Sequence, residues 1–122
     1  RRQVARFNRL YYLLRRNTFD DTRFLGKHLL KFPTDLWIYQ EILFDKRPDV
    51  IVETGVFLGG STYYFATLQK LLGQGRIIAV DITLDHADPE LETLDNVTLL
   101  EGDSGTAETR DRIATLIKPG ES

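Results

Sequence analysis

Val50-Ile-Val-Glu-Thr-Gly-Val-Phe-Leu-Gly-Gly-Ser61 is the stretch around which the rest of the chain is arranged. It begins as an apolar run, Val50 to Val52, presents one carboxylate at Glu53, and then carries Gly55, Gly59 and Gly60. From Ser61 the spacing turns helical, with Tyr64, Phe65, Leu68, Leu71 and Leu72 on one face until Gly73 and Gly75 end it. Strand, glycine turn and helix in this order hold a nucleotide-type cofactor at the carboxyl end of a parallel strand.

Downstream, the pattern repeats its logic. Arg76-Ile-Ile-Ala-Val-Asp81 is a second apolar strand ending in an acid. Residues 82–96 are polar, contain Pro89, and read as a loop with at most a short helix. Val97-Thr-Leu-Leu-Glu101 is a third strand, followed by Gly102-Asp103-Ser104-Gly105 and a helix over 107–118 with Ile113, Leu116 and Ile117 inward, stopped by Pro119-Gly120. Strands alternating with helices imply an α/β fold with parallel pairing and right-handed crossovers. The first strand should be buried on both faces.

Upstream, residues 3–16 read as a helix with Val4, Phe7, Leu10, Tyr11 and Leu14 in register. Its arginines, Arg6, Arg9, Arg15 and Arg16, fit the solvated face of a packing helix better than a phosphate-binding patch. Asn17 to Asp21 break it, and residues 22–33 are irregular. Pro33 disfavours helix at Phe32. Thr34 or Asp35 is the expected cap of a second helix with Leu36, Tyr39, Gln40, Leu43 and Phe44 on one side, ending before Arg47-Pro48-Asp49. Trp37, the only tryptophan, is expected in core or inter-helix packing, and His28 in a packing or surface role.

The chain has 122 residues, 42% hydrophobic and 28% charged, as one soluble globular domain has. A net charge of −2 suggests neither a nucleic acid nor an anionic membrane as partner. No apolar run approaches bilayer length, and no signal-peptide pattern follows Arg1 and Arg2, so a cytoplasmic location is expected. Cysteine is absent, which excludes disulfides and thiol chemistry. Methionine is absent as well, and the chain is expected to begin inside a longer gene product or after a removed leader.

Three strand ends thus carry three polar clusters: Glu53 with its glycines, Asp81, and Asp103 with Ser104. In an open parallel sheet these ends lie side by side, where ligands bind. Gly55, Gly59 and Gly60 let the backbone turn sharply and approach a ligand. The helix from Ser61 aims free N–H groups at the same place. Asp81 suits two vicinal ribose hydroxyls, and Asp103 an exocyclic amine such as that of adenine. Glu53 can order the loop or hold the cationic amino group of an amino-acid-like ligand.

A nicotinamide dinucleotide site fits less well. The glycines read G-x-x-x-G-G, and Asp81 follows Gly55 by 26 positions rather than about 20. A pyrophosphate would also meet the like charge of Glu53. A P-loop is excluded, because no Lys-Ser or Lys-Thr follows the glycines. The three acids together favour S-adenosylmethionine. Asp85, His86 and Asp88 are the only cluster of metal-ligand residue types, in a loop that defines no ligand geometry, and no metal site is assigned to them.

Pro33-x-Asp35, Arg47-Pro-Asp-Val-Ile-Val-Glu53-Thr-Gly55 with Gly59-Gly60-Ser61, Val80-Asp81-Ile82 and Gly102-Asp103-Ser104 resemble the cephalosporin hydroxylase family over residues 31–118. That family has the Rossmann-like class I S-adenosylmethionine-dependent methyltransferase fold and is related to macrocin- and rhamnosyl-type O-methyltransferases. The resemblance implies that Glu53, Gly55, Gly59, Gly60 and Ser61 flank the methionine part of the cofactor. Asp81 would take the ribose, and Asp103 with Ser104 the adenine side. It divides the chain into an N-terminal helical segment, 1–30, and the first half of the cofactor-binding domain, 31–122. The family's pattern continues into a fourth strand ending in aspartates, a magnesium site with a nearby base, and three more strands. No metal ligand or catalytic base can therefore be assigned in this chain, and Mg2+ is expected only with the full-length protein. The implied function is O-methylation of a small molecule or sugar. A non-catalytic fragment binding cofactor or partner is the alternative, and a dinucleotide or nucleotide-sugar enzyme with altered glycine spacing is a third reading. Three strands alone leave an open sheet edge, through which a homo-oligomer is expected.

Overall fold

The computed structural model describes residues 2–13 and 18–122. Leu14, Arg15, Arg16 and Asn17, expected to close the first helix and open the break, lie outside the described residues. The elements are α1 (Arg2–Leu13), β1 (Arg23–Phe24), β2 (Lys27–His28), α2 (Pro33–Lys46), β3 (Val50–Thr54), α3 (Gly60–Leu72), β4 (Arg76–Asp81), a 3-10 turn (Pro89–Thr93), β5 (Val97–Glu101) and α4 (Ala107–Leu116).

β3, β4 and β5 form a parallel sheet in that order. The register pairs Val50 with Arg76, Thr54 with Val80, and Asp81 with Glu101, so the three strands end at one edge. β4 is the centre: Ile77, Ile78, Ala79 and Val80 are each 0% exposed. On one face Ile77 and Ala79 pack with Tyr64, Phe65 and Ala66 of α3 and Leu43 of α2. On the other, Ile78, Val80 and Leu100 meet Ile113 and Leu116 of α4. Val50 packs against the same cluster, but Val52 is 42% exposed. The expectation that the first strand is buried on both faces therefore fails at its outer side. Val50 N–H there donates to the Ser122 carbonyl at 3.2 Å.

The segment expected to be irregular holds an antiparallel hairpin, β1–β2, which is too short to leave a sequence period. Leu25 and Gly26 turn it with φ of 48° and 84°, the positive pair a tight hairpin needs. Directly after it, Leu29 is 0% exposed within the main core, which the aromatic pair Phe24–Tyr64, 5.0 Å between centroids, extends. Burying such a leucine is worth about 1.5–3 kcal/mol.

Several helical expectations are corrected. α2 is capped by neither Thr34 nor Asp35: Phe32, extended at φ −67° and ψ 139°, is its cap, and Pro33 takes the first helical position. Trp37 is 66% exposed, its indole N–H donating to Glu41 at 3.2 Å, and Phe44 also faces out. α2 carries apolar residues on several faces, so its period cannot say which side α3 covers. Leu71, assigned to the inner face of α3, is 80% exposed, and buried Gln69 lies inward instead. Ile117 lies one residue beyond α4 and is partly exposed. On α1, Val4, Phe7 and Leu10 are exposed, and contact comes from Tyr11 and Tyr12, 4.8 and 4.7 Å from the Phe32 ring.

Candidate functional site

The shared strand edge opens a crevice of about 290 Å³ between Thr54–Gly55, Val80–Ile82, Gly102 and Ser104. A second hollow of about 100 Å³ adjoins it, lined by Gly55 to Ser61 with His28, Leu30 and Lys31. Gly55 belongs to both. Its φ is +85°, and a Cβ built on it would meet nothing within 4 Å. The backbone here is a cradle whose free space a ligand can take.

The remaining glycines do something different. A Cβ on Gly60 would fall inside the contact shell of the His28 carbonyl oxygen, and one on Gly59 against Leu91. Gly60 is glycine because the hairpin backbone presses on it; Gly59 has φ +82°, which itself favours glycine, with Leu91 of the 3-10 turn against it. Phe57 adopts φ 48°, a left-handed conformation that costs a side-chain-bearing residue about 1–2 kcal/mol. Such a conformation persists where its surroundings over-determine it.

Asp81 provides that determination. Its Oδ2 accepts from the backbone N–H groups of Val56 at 2.7 Å and Phe57 at 2.8 Å, and its Oδ1 accepts from Ile82 N–H at 2.7 Å. The Phe57 N–H, followed by those of Ile82 and Val56, holds the carboxyl below the usual aspartate range, against the opposing effect of its partial burial. A carboxylate oxygen accepts about two hydrogen bonds. Oδ2 is therefore filled, Oδ1 already accepts from Ile82 N–H, and Thr83 N–H adds a weaker pull on the same carboxyl, which lines the crevice.

Glu53 is buried, at 9% exposure. Its Oε2 accepts from Thr62 Oγ1 at 2.6 Å, and its Oε1 from Ser61 Oγ. Of the two roles open to it, ordering the loop is the one seen: the carboxylate ties the tip of β3 to the first turn of α3. A negative charge also suits a helix N-terminus. Asp103 is exposed, and its Oδ1 accepts from Gly105 N–H at 2.8 Å, closing its own turn. Ser104, not Asp103, lines the crevice.

Of the eight residues singled out in the sequence, Gly55, Asp81 and Ser104 meet at the crevice, and Gly55, Gly59, Gly60 and Ser61 line the adjoining hollow. Glu53 lies beneath the loop, and Asp103 turns back on itself. Thr62, which shares Glu53 with Ser61, was missed, although a hydroxyl one position after Ser61 was a visible signal. The positive φ of Phe57 left no signal, because such a position usually carries glycine. Asp88 bonds to Lys27, and the His86 ring stands edge-on to Phe57 at 6.3 Å. Among the described residues no group of three or more histidine or carboxylate side chains is arranged to hold a metal ion.

The family model described as rhamnosyl O-methyltransferase/CmcI matches residues 16–122. A rhamnosyl O-methyltransferase of Mycobacterium tuberculosis (strain H37Rv) is 31% identical over 96 residues, covering 78% of this chain and 39% of its own length. A solved CmcI structure described as the Mg-SAM form is 32% identical with a TM-score of 0.71, over 76% of this chain and 40% of that one. An apo CmcI structure is 28% identical with a TM-score of 0.76, over 92% of this chain and 50% of that one. The chain spans about two-fifths to half of the length of these relatives. The family model covers most of the chain, and the chain belongs to the rhamnosyl O-methyltransferase/CmcI family.

Proposed function

We propose that this chain carries the S-adenosylmethionine-binding part of an O-methyltransferase acting on a hydroxyl of a small molecule or sugar. The observation that carries the reading is the pairing, at one crevice, of Asp81, whose carboxyl is fixed by backbone N–H groups, and Gly55, whose missing Cβ leaves space beside it. The likeness to a CmcI structure described as its Mg-SAM form supports the choice of cofactor. The relatives' name, rhamnosyl O-methyltransferase, supports a sugar as acceptor.

Bound S-adenosylmethionine would supply an electrophilic methyl group, transferred in line to the acceptor oxygen while the sulfur keeps the electron pair of the broken bond. The chain's residues position rather than react. Asp81 Oδ1 accepts one ribose hydroxyl, and Gly102 with Ser104 borders the base side. Gly55 admits the cofactor against the backbone, and the loop to Ser61 flanks the methionine part. Glu53 keeps the loop and α3 in register from beneath, and its buried negative charge favours the cationic methionine amino group above it. Asp103 shapes the turn that presents Ser104. Magnesium and the base that takes the acceptor's proton are assigned to none of these residues. No helix among the described residues is long and apolar enough to cross a membrane. Action in the cytoplasm and self-association through the outer edge of β3 complete the proposal.

Calorimetry with S-adenosylhomocysteine, adenosine and NAD tests it. S-adenosylhomocysteine should bind, NAD should not, and Asp81→Ala should weaken binding by about 1.5–3 kcal/mol, as for hydrogen bonds to a charged group. Absence of S-adenosylhomocysteine binding would overturn the cofactor, and an unchanged affinity in the variant would move the ribose site.

A further inference from the structure

Lys27 stands outside the crevice and outside every role assigned so far. It lies on β2, and its Nζ is 2.7 Å from Asp88 Oδ2 and 2.6 Å from Glu90 Oε2. The same ammonium lies over the ring of Tyr63, in the first turn of α3, at 5.5 Å from its centroid. Its side chain is only 20% exposed. One residue on, the His28 carbonyl presses on Gly60. On the opposite side Leu91, in the turn that Asp88 caps through Glu90 N–H at 2.9 Å, presses on Gly59. Asp88 N–H donates to the Leu58 carbonyl at 3.2 Å, inside the loop itself. The glycine loop is thus gripped between two jaws, the hairpin and the 3-10 turn, and Lys27 is the side chain that ties one jaw to the other.

We propose that Lys27 is a positioning residue: by bridging β2 to Asp88 and Glu90 it holds the Gly55–Ser61 loop in the conformation that receives the cofactor. The proposal rests on the cofactor reading above for its effect on binding, but not for its effect on the loop. The bridge joins groups 61 positions apart, so nothing local replaces it. A lysine suits the place because its compact ammonium meets two carboxylates and an aromatic face at once. Asp88 is held below the usual aspartate range chiefly by that ammonium, so the pair stays charged at neutral pH.

The test compares wild type, Lys27→Met and Lys27→Arg by melting temperature, amide hydrogen exchange and calorimetry with S-adenosylhomocysteine. Lys27→Met should exchange the amides of residues 55–61 faster while those of β4 stay protected, and should bind about five- to tenfold more weakly. Lys27→Arg, which keeps the charge, should recover most of both. If Lys27→Met does not fold, the double variant Asp88→Asn with Glu90→Gln, which keeps the lysine stem, must show the same loosening. Unchanged exchange over 55–61 in a folded Lys27→Met overturns the proposal. Failure of wild type to bind S-adenosylhomocysteine overturns the cofactor reading instead, and the exchange comparison still decides the role of Lys27.

Discussion

Asp81 and Phe57 are joined by a 2.8 Å hydrogen bond from the Phe57 backbone N–H to the Asp81 carboxylate, across 24 positions of sequence. The bond makes one acid serve two purposes. It fixes a left-handed residue in the glycine loop, and it belongs to a side chain that lines the crevice. In the proposed reading, loop geometry and ribose recognition are coupled through a single side chain.

Asp81→Asn separates the two purposes. The amide keeps one acceptor oxygen but replaces the other with a donor that faces backbone N–H groups. If the oxygen stays toward the loop, the NH2 faces Ile82 N–H, donor against donor, and can only donate to the ribose; if it turns to the crevice, Val56 and Phe57 lose their acceptor. Either way S-adenosylhomocysteine affinity should fall by about 1–3 kcal/mol, read by calorimetry.

The acid limb of stability should carry the same signature. Asp81 and Asp88 both sit below the ordinary aspartate range, held there by the Phe57 N–H and by Lys27 respectively. A lowered folded value means the unfolded chain takes up the proton first. Their stabilisation is thus complete above the unfolded value of about 4 and is lost as pH falls through the lower folded values. Melting temperature followed from pH 7 to 3 should drop below about pH 4, and the drop should shrink in Asp81→Asn.

Gly55→Ala and Gly60→Ala should part company. At Gly55 the new methyl has room and pays only for φ +85°, about 1–2 kcal/mol, while intruding on the crevice. At Gly60 it meets the His28 carbonyl, a backbone group that cannot swing aside, with overpacking at the upper end of about 1–3 kcal/mol. Chemical denaturation with ligand titration should show the first variant stable but weak in binding, and the second destabilised.

Glu53→Ala should loosen the start of α3. Two hydroxyls, one of them on the fully buried Thr62, lose their acceptor. A hydrogen bond to a charged group is worth about 1.5–3 kcal/mol. Glu53→Gln, which keeps one acceptor, should recover part of the loss in a denaturant titration.

What the sequence revealed, and what it hid, divides along a physical line. β4 and β5 were read to the residue, because an apolar run closed by an acid has one simple fate in a parallel sheet. The glycine loop was legible because L side chains avoid its conformations. The hairpin was not, since two residues per strand cannot show a period. Trp37 and Leu71 were misplaced because apolar residues on several faces leave the buried side undetermined. The jaws on Gly59 and Gly60 were hidden for another reason: their partners, Leu91 and His28, are distant in sequence and belong to no motif.

That distance has a kinetic consequence. β3, α3 and β4 are contiguous, and their contacts close over short spans. The Lys27–Asp88 bridge must close a span of 61 residues, and contacts that close long loops form late when folding is governed by chain entropy. The nascent sheet should therefore exist first with its glycine loop ungripped. The hairpin then docks as a last step that finishes the pocket rather than the fold.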